Sequence, residues 1–269
     1  MLEIRHLTRK YISRVAVNDV SLTIEPGRTY VLLGPNGSGK TTLMKMIAGL
    51  TRPTSGEIRY NGMAVGPATK AAIAYMPTES YFYNYMTIRD AGRYYADFFA
   101  DFSRERYDEI LRRMDLNPQD HIAALSSGMN AKVRLALTLS RDAKLMMFDE
   151  PLNGVDILTR AQVISEIIRY RDEGRSMIIS THLVDELEEF VDEVIFMKNG
   201  EIARVGSRDE LRQEGSLTEM YLRLYGGFDG DDPVMKAVSA RIAQRMEEEA
   251  RQRRAAMSAA PRKEDAQDG

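Results

Sequence analysis

One short stretch constrains this chain more than any other: Gly34-Pro35-Asn36-Gly37-Ser38-Gly39-Lys40-Thr41. It follows the apolar run Tyr30–Leu33, which reads as a strand. It opens Thr41–Leu50, whose apolar residues have helical spacing and which ends near Gly49. A strand, a glycine-rich turn and a helix in that order form the context in which G-x-x-x-x-G-K-[ST] cradles phosphate. Glycines let backbone N–H groups turn inward without Cβ obstruction. Those dipoles and the helix N-terminus attract polyphosphate. Lys40 places a cation between β- and γ-phosphates, and the Thr41 hydroxyl can ligate Mg²⁺. The expected binding set runs from Gly34 through Thr41 and includes Thr42.

A second stretch completes the first. Leu145-Met146-Met147-Phe148 is an apolar strand that ends in Asp149-Glu150. Two carboxylates at the C-terminal edge of a parallel sheet lie where such sheets bind ligands. Asp149 suits the Mg²⁺ shell, which leaves Glu150 to polarise an attacking water as general base. His182 follows another strand, Met177–Ser180, and is placed for a γ-phosphate contact. His6 and His121 lack such a context and read as structural or surface residues.

Around these motifs, strands alternate with helices. Leu2–Leu7, Val20–Ile24, Ile73–Met76 and Val194–Met197 read as further strands; Leu158–Tyr170 and Leu183–Val191 read as helices. Asn199-Gly200 reads as a hairpin turn leading into Glu201–Val205. The alternation argues for an α/β domain with parallel strands. Residues 80–142 carry helical patterns, broken at Asn117-Pro118, and read as a helical subdomain inserted in the α/β core. Gly226-Gly227 and Asp229–Pro233 mark a boundary. The expected organisation is a domain over 1–225 and a charged tail over 226–269. In the tail Met235, Val238, Ile242 and Met246 form a helix-spaced stripe, with Glu247/Arg251 and Glu249/Arg253 as i,i+4 pairs. The tail reads as a solvated helix that frays into disorder by Pro261.

Composition excludes several classes. Lys+Arg is 37 and Asp+Glu is 40, a net charge of −3 that argues against a nucleic-acid partner. With no cysteine, disulfides, thiolate metal sites and cysteine nucleophiles are ruled out. The start, Met1-Leu2-Glu3-Ile4-Arg5-His6, does not read as a secretory signal. No apolar run approaches the ~18 residues of a membrane span. Work at a membrane would need another chain to do the spanning.

Taken together, these motifs resemble the ATP-binding subunit of ABC transporters, and the resemblance covers Leu2 to about Tyr225. Leu125-Ser126-Ser127-Gly128-Met129 resembles the family's signature, usually Leu-Ser-Gly-Gly-Gln. Leu152-Asn153-Gly154-Val155-Asp156 resembles the D-loop, and Ser180-Thr181-His182 the segment with the switch histidine. Tyr11 stands where family members stack an aromatic on adenine. The resemblance implies a P-loop NTPase core with a mixed sheet, an inserted α-helical subdomain, and ATP with Mg²⁺ as ligands. It implies ATP hydrolysis coupled to transport, with two subunits head to tail around two ATP, as a homodimer or a heterodimer. Ser126, Ser127 and Gly128 would then act in trans on the γ-phosphate, with Asp156 beside them. A membrane-spanning permease subunit is the implied partner, placing the chain at the cytoplasmic face of the membrane.

Two departures from the family pattern stand out. After Ile73-Ala74-Tyr75-Met76-Pro77 the family usually has glutamine, which reaches Mg²⁺ and the attacking water; here Thr78 stands. Thr78 is expected to reach the metal through a bridging water, with Glu79 turned toward the membrane partner. In the signature, Ser127 and Met129 replace glycine and glutamine while Ser126 and Gly128 survive. Aromatic residues also crowd one region. Tyr94, Tyr95, Phe98 and Phe99 are expected on a helix's core face. Tyr81, Phe82, Tyr83 and Tyr85, whose spacing is not helical, are expected to meet the permease, since aromatics bury much area at low entropy cost. The short helical subdomain is more similar to the bacitracin-export type than to a sugar importer. The rival class is a non-transport ABC ATPase acting on the ribosome or DNA. Such relatives usually carry two cassettes in one chain or long inserted coiled coils, and this sequence has neither.

Overall fold

The computed structural model describes residues 1–79, 81–83, 85–171, 174–183 and 187–226, together with Arg241, Gln244, Glu248 and Arg251. Among these described residues, ten strands form two sheets. Five of the strands are β3 (Thr29–Leu33), β6 (Ile73–Met76), β7 (Leu145–Asp149), β8 (Ser176–Thr181) and β9 (Glu193–Lys198), and they pair in parallel. β10 (Glu201–Ser207) joins antiparallel to β9, giving the order β10-β9-β3-β8-β7-β6. The turn between β9 and β10 is the expected Asn199-Gly200, both with positive φ. The second sheet is antiparallel, in the order β2-β1-β4-β5: β1 (Leu2–Tyr11), β2 (Arg14–Ile24), β4 (Ser55–Tyr60) and β5 (Met63–Ala64).

The continuous apolar runs of β3 and β7 follow from burial on both faces. Alternate residues enter two cores. Tyr30, Leu32, Leu145, Met147, Ile178 and Ile195 meet the antiparallel sheet and helix α1 (Lys40–Ile47). Val31, Leu33, Met146, Phe148, Ile179 and Phe196 meet the helices on the other side. α1 is thus wedged between the sheets by Leu43, Met44, Met46 and Ile47. It stops earlier than expected, at Ile47. Gly49 takes φ 68°, and the amides of Gly49 and Leu50 close back on the Met46 and Lys45 carbonyls in a Schellman turn.

A short helix α2 (Pro67–Ala72) leads into β6, and three helices separate β6 from β7 in the chain: α3 (Ile88–Phe98), α4 (Arg104–Arg113) and α5 (Ser127–Leu139). Arg141, just past α5, ties the segment after α3 to α2. Its guanidinium lies 3.8 Å from the Phe99 ring centroid, pairs with Asp101 at 2.6 Å and donates to the Ala71 carbonyl at 2.7 Å. α6 (Ile157–Arg171) follows β7, and α7 (Arg208–Glu214) and α8 (Leu217–Tyr225) follow β10.

Two expectations are corrected. Of Leu183–Val191, positions 184–186 lie outside the described residues, and the rest contains only a 3₁₀ turn, Glu188–Phe190. Leu187 and Val191 are both buried, four residues apart, and this spacing imitates a helix face. On α3, Tyr95 is buried and Phe99 beyond its end packs on the core. Tyr94 and Phe98 are exposed and rest on each other, with centroids 4.6 Å apart. They sit one residue before Tyr95 and Phe99, so the helix turns them off the face carrying Ile88, Ala91 and Tyr95. The tail's stripe of Met235, Val238, Ile242 and Met246 lies outside the described residues. No helix among the described residues is long and apolar enough to cross a membrane.

Candidate active site

The site gathers at the C-terminal ends of β3, β7 and β8. At the end of β3 the chain turns through the glycine-rich loop into α1. A Cβ on Gly34 would come within 2.4 Å of the Met197 carbonyl oxygen. One on Gly39, at φ 109°, would come equally close to the Ala16 carbonyl oxygen. Only glycine fits either place. Helices α3, α4, α5, α7 and α8 each begin with a Ser or Thr whose hydroxyl accepts from an amide of the first turn. α1 begins with Gly39 and has neither a side-chain cap nor an acidic residue in its first turn. Its leading amides are therefore free to meet an anion.

Lys40 is buried, 5% exposed. Its three N–H donors face oxygens: the Gly34 carbonyl at 2.6 Å, the Pro35 carbonyl at 3.4 Å and Glu150 Oε1 at 3.2 Å. The last is an ion pair by distance without hydrogen-bond alignment, and Oε1 has no hydrogen-bond partner. Glu150 Oε2 lies 2.9 Å from His182 Nδ1. The Glu150 backbone holds φ 49°, a left-handed conformation that costs a non-glycine residue about 1–3 kcal/mol. Its amide is fastened to the Ser180 carbonyl and hydroxyl, at 3.1 and 3.0 Å, which offsets that cost.

Asp149 is wholly buried and fully bonded. Oδ1 accepts from Thr41 Oγ1 at 3.1 Å and Ser180 Oγ at 2.6 Å; Oδ2 accepts from the Tyr75 hydroxyl at 3.1 Å. Burial and the Asp149 charge push the Tyr75 phenol pKa far up, so the ring remains a donor. Thr78 spends its hydroxyl proton on the Asp149 main-chain carbonyl at 3.1 Å. Arg134 of α5 donates to the Pro77 carbonyl at 2.5 Å and also to that of Thr78.

These residues fit ATP with Mg²⁺. Ser38 Oγ is buried in the loop without a hydrogen-bond partner, and Glu150 Oε1 likewise lacks one. No group of three or more His, Asp or Glu side chains placed to hold a metal ion occurs among the described residues. A single carboxylate with a threonine hydroxyl suits Mg²⁺, which takes one or two carboxylates and completes its shell with phosphate oxygens and water.

The structure thus brings Lys40, Thr41, Thr78, Asp149, Glu150 and His182 together. The glycine-rich loop wraps Lys40 through the Gly34 and Pro35 carbonyls, while the signature and D-loop residues make their contacts elsewhere. Ser126 caps α5 by accepting from the Met129 amide at 3.2 Å, and Ser127 donates to the Gly154 carbonyl at 3.0 Å. Asp156 caps α6, accepting from the Thr159 hydroxyl at 2.7 Å and from the Leu158 and Thr159 amides. The Thr159 hydroxyl, with those amides, holds the Asp156 pKa below the usual carboxylate range. A Cβ on Gly128 would lie 3.2 Å from Thr159 Oγ1. Signature and D-loop therefore share one edge of the chain. Tyr11 is 40% exposed, with the Arg9 guanidinium 4.6 Å above its ring.

Sequence reasoning missed Tyr75, Ser180 and Tyr225. The Tyr225 hydroxyl lies within hydrogen-bond reach of the Leu33 and Met197 carbonyls, at 3.2 and 3.1 Å, fastening α8 beneath the loop. The run Ser180-Thr181-His182 held the signal for Ser180, whose hydroxyl meets Asp149 while the histidine meets Glu150.

A family model described as ABC transporter matches residues 17–153. The chain is 34% identical over 247 residues to the uncharacterized ABC transporter ATP-binding protein YxlF of Bacillus subtilis, covering 88% of this chain and 82% of that one. A solved ATP-binding subunit of an ABC transporter superposes with TM-score 0.75 at 28% identity, covering 83% of this chain and 99% of the other. The fold is also that of the ATP-binding cassette MJ0796, solved as a post-hydrolysis dimer bound to ADP and Pi. There the TM-score is 0.71 at 20% identity, covering 77% of this chain and 99% of that one. With a phosphate loop, a buried metal-type carboxylate and a braced glutamate at one sheet edge, the chain belongs to the ABC transporter family, as an ATP-binding subunit that hydrolyses ATP to drive transport.

Proposed function

We propose that Glu150 is the general base of this ATPase, and that a second ATP-binding subunit completes the site. In this reading a membrane-spanning partner docks on the Tyr81–Tyr85 surface. The supporting observation is the placement of Glu150, with one oxygen facing Lys40 and the other His182, beside the Asp149–Thr41 pair. The β- and γ-phosphates of ATP offer Lys40 better acceptors than two carbonyls. As the ammonium turns to them, Glu150 Oε1 loses its counter-charge and is free to accept a proton from water. The His182 contact keeps the carboxylate from rotating meanwhile. Asp149 and Thr41 would hold Mg²⁺, which when bound would offset the negative charge of the triphosphate. Ser126 and Gly128 serve the partner subunit's nucleotide.

Residues 1–225 act as the ATPase domain in this reading, with 226–269 as an appended tail. Tyr81, Tyr83 and Tyr85 are exposed, and the last two stack with centroids 5.4 Å apart. Phe82 between them packs on the core and anchors the segment. This surface suits a permease contact and would hold the subunit peripherally at the membrane.

Nucleotide titration tests the reading. Lys40→Ala should weaken every phosphate-bearing nucleotide severely, whereas Tyr11→Ala should cost only about 1–3 kcal/mol, the range for one stacked base. Arg9 covers one face of Tyr11, leaving the other for adenine. Equal losses in the two variants would contradict this division.

Thr78 gives a second test. Its hydroxyl already steadies the Asp149 carbonyl, so it acts by holding the strand end and reaches the metal only through water. Thr78→Gln should leave ATP affinity nearly unchanged and raise basal hydrolysis of the isolated subunit. A Glu79→Gln variant that abolishes hydrolysis while Thr78→Gln does nothing would move the functional ligand one residue along.

A further inference from the structure

We propose that Tyr75 is a positioning residue for Asp149, joining the metal carboxylate to a cavity on the far side of its ring; this rests on Asp149 being the Mg²⁺ ligand. The carboxylate has two unequal oxygens. Oδ1 is held by Ser180 and Thr41, so when Thr41 turns to a cation, Ser180 still remains on it. Oδ2 has Tyr75 as its hydrogen-bond donor. With Tyr75 in place both oxygens are fixed and the carboxylate plane cannot swing. Without it, rotation about the Cβ–Cγ bond is restrained from the Oδ1 side alone.

Tyr75 reaches Asp149 across the sheet. It stands on β6, the edge strand, opposite Met147 of β7, two residues before Asp149. Its neighbours Ala74 and Met76 point into the helical core, so Tyr75 faces the other way and is half-buried. There the ring lines a cavity of about 460 Å³, together with Lys45, Lys70, Glu79, Tyr81 and Arg141. One side chain therefore touches the cavity along its ring and the metal carboxylate at its tip. Any group that enters the cavity and tilts the ring withdraws or tightens the donor on Oδ2. Thr78 holds the carbonyl of the same Asp149, and Arg134 clamps the carbonyls of Pro77 and Thr78. The strand end is braced there, and Tyr75 is the side chain that spans from the cavity to the carboxylate.

Tyr75→Phe removes one oxygen and keeps the ring. The test titrates Mn²⁺ into the full chain saturated with ADP, following free Mn²⁺ by electron paramagnetic resonance. The half-saturating Mn²⁺ concentration should rise about tenfold or more, the usual cost of losing a group that orients a metal ligand. ADP affinity measured in EDTA should not change. A Mn²⁺ curve that superposes on wild type would overturn the inference, as would an equal loss of ADP affinity in EDTA, which would mark Tyr75 as structural only. Asp149→Asn separates the two levels. If it leaves Mn²⁺ binding intact, Asp149 is not the metal ligand and the underlying reading fails. If it abolishes Mn²⁺ binding while Tyr75→Phe has no effect, only the positioning role fails.

Discussion

Glu150→Gln is expected to bind ATP and to lose about 10²–10⁴-fold of steady-state hydrolysis, the usual contribution of a general base. The substitution keeps the shape of the side chain. Its amide can still meet His182, and the two amide bonds to Ser180 that hold the left-handed backbone are untouched. What disappears is the basic oxygen and its charge. Lys40 then faces the Gly34 and Pro35 carbonyls and at most a neutral amide oxygen, so the competitor for its ammonium is weaker and ATP should bind at least as tightly. A chain that binds but does not cleave should accumulate as an ATP-held dimer. Phosphate release measures the first effect, and size-exclusion chromatography with ATP the second. Turnover at the wild-type rate in this variant would remove Glu150 from the role.

Much of the nucleotide-binding edge is legible because it is local. The apolar run of β3, the glycines and Lys40-Thr41 are contiguous, and each residue type answers to one requirement of a phosphate cradle. β7 and β8 are legible for the same reason: strands buried on both faces leave an unbroken apolar signature. The antiparallel sheet is legible only in part: Leu2–Leu7 and Val20–Ile24 fall within β1 and β2, while β4 and β5 left little trace. β4 reads Ser-Gly-Glu-Ile-Arg-Tyr, and only Ile58 and Tyr60 turn inward. β1 is interrupted by register shifts that break its alternation. α7 and α8 are short, and their capping boxes at Ser207 and Ser216 were the available signal.

Site residues divide along the same line. Tyr75 serves Asp149 through strand pairing between residues 74 positions apart, and no local pattern encodes that. In sequence it is one more tyrosine in an aromatic stretch. Tyr94 and Phe98 show the opposite error, since a helical spacing of aromatics says that they share a face without saying which face the core takes. Their exposure leaves Tyr95 and Phe99 as the pair that packs inward.

Mixing two inactive proteins should restore hydrolysis, and this is the second large expected effect. Ser126 and Ser127 bond to Met129 and Gly154 of their own chain, with no recorded hydrogen bond to the loop Gly34–Thr41 among the described residues. In the proposed arrangement the signature serves the nucleotide of another subunit. Ser126→Arg places a bulky cation at that edge, and Lys40→Ala empties the phosphate loop of its charge. Either protein alone forms dimers in which both composite sites carry a defect. In a mixed dimer one site pairs the intact Lys40 of the first chain with the intact Ser126 of the second, and the other site carries both defects. With equal mixing half the dimers are mixed. If the two sites of a two-fold dimer work independently, activity should return to about a quarter of wild type. Ser126→Arg also removes the cap of α5, at about 1 kcal/mol, so its melting temperature must be checked, and a modest fall is expected. Activity of the mixture equal to the sum of the two separate proteins would show that each chain builds its site alone, and the shared-site arrangement would then be wrong for this subunit.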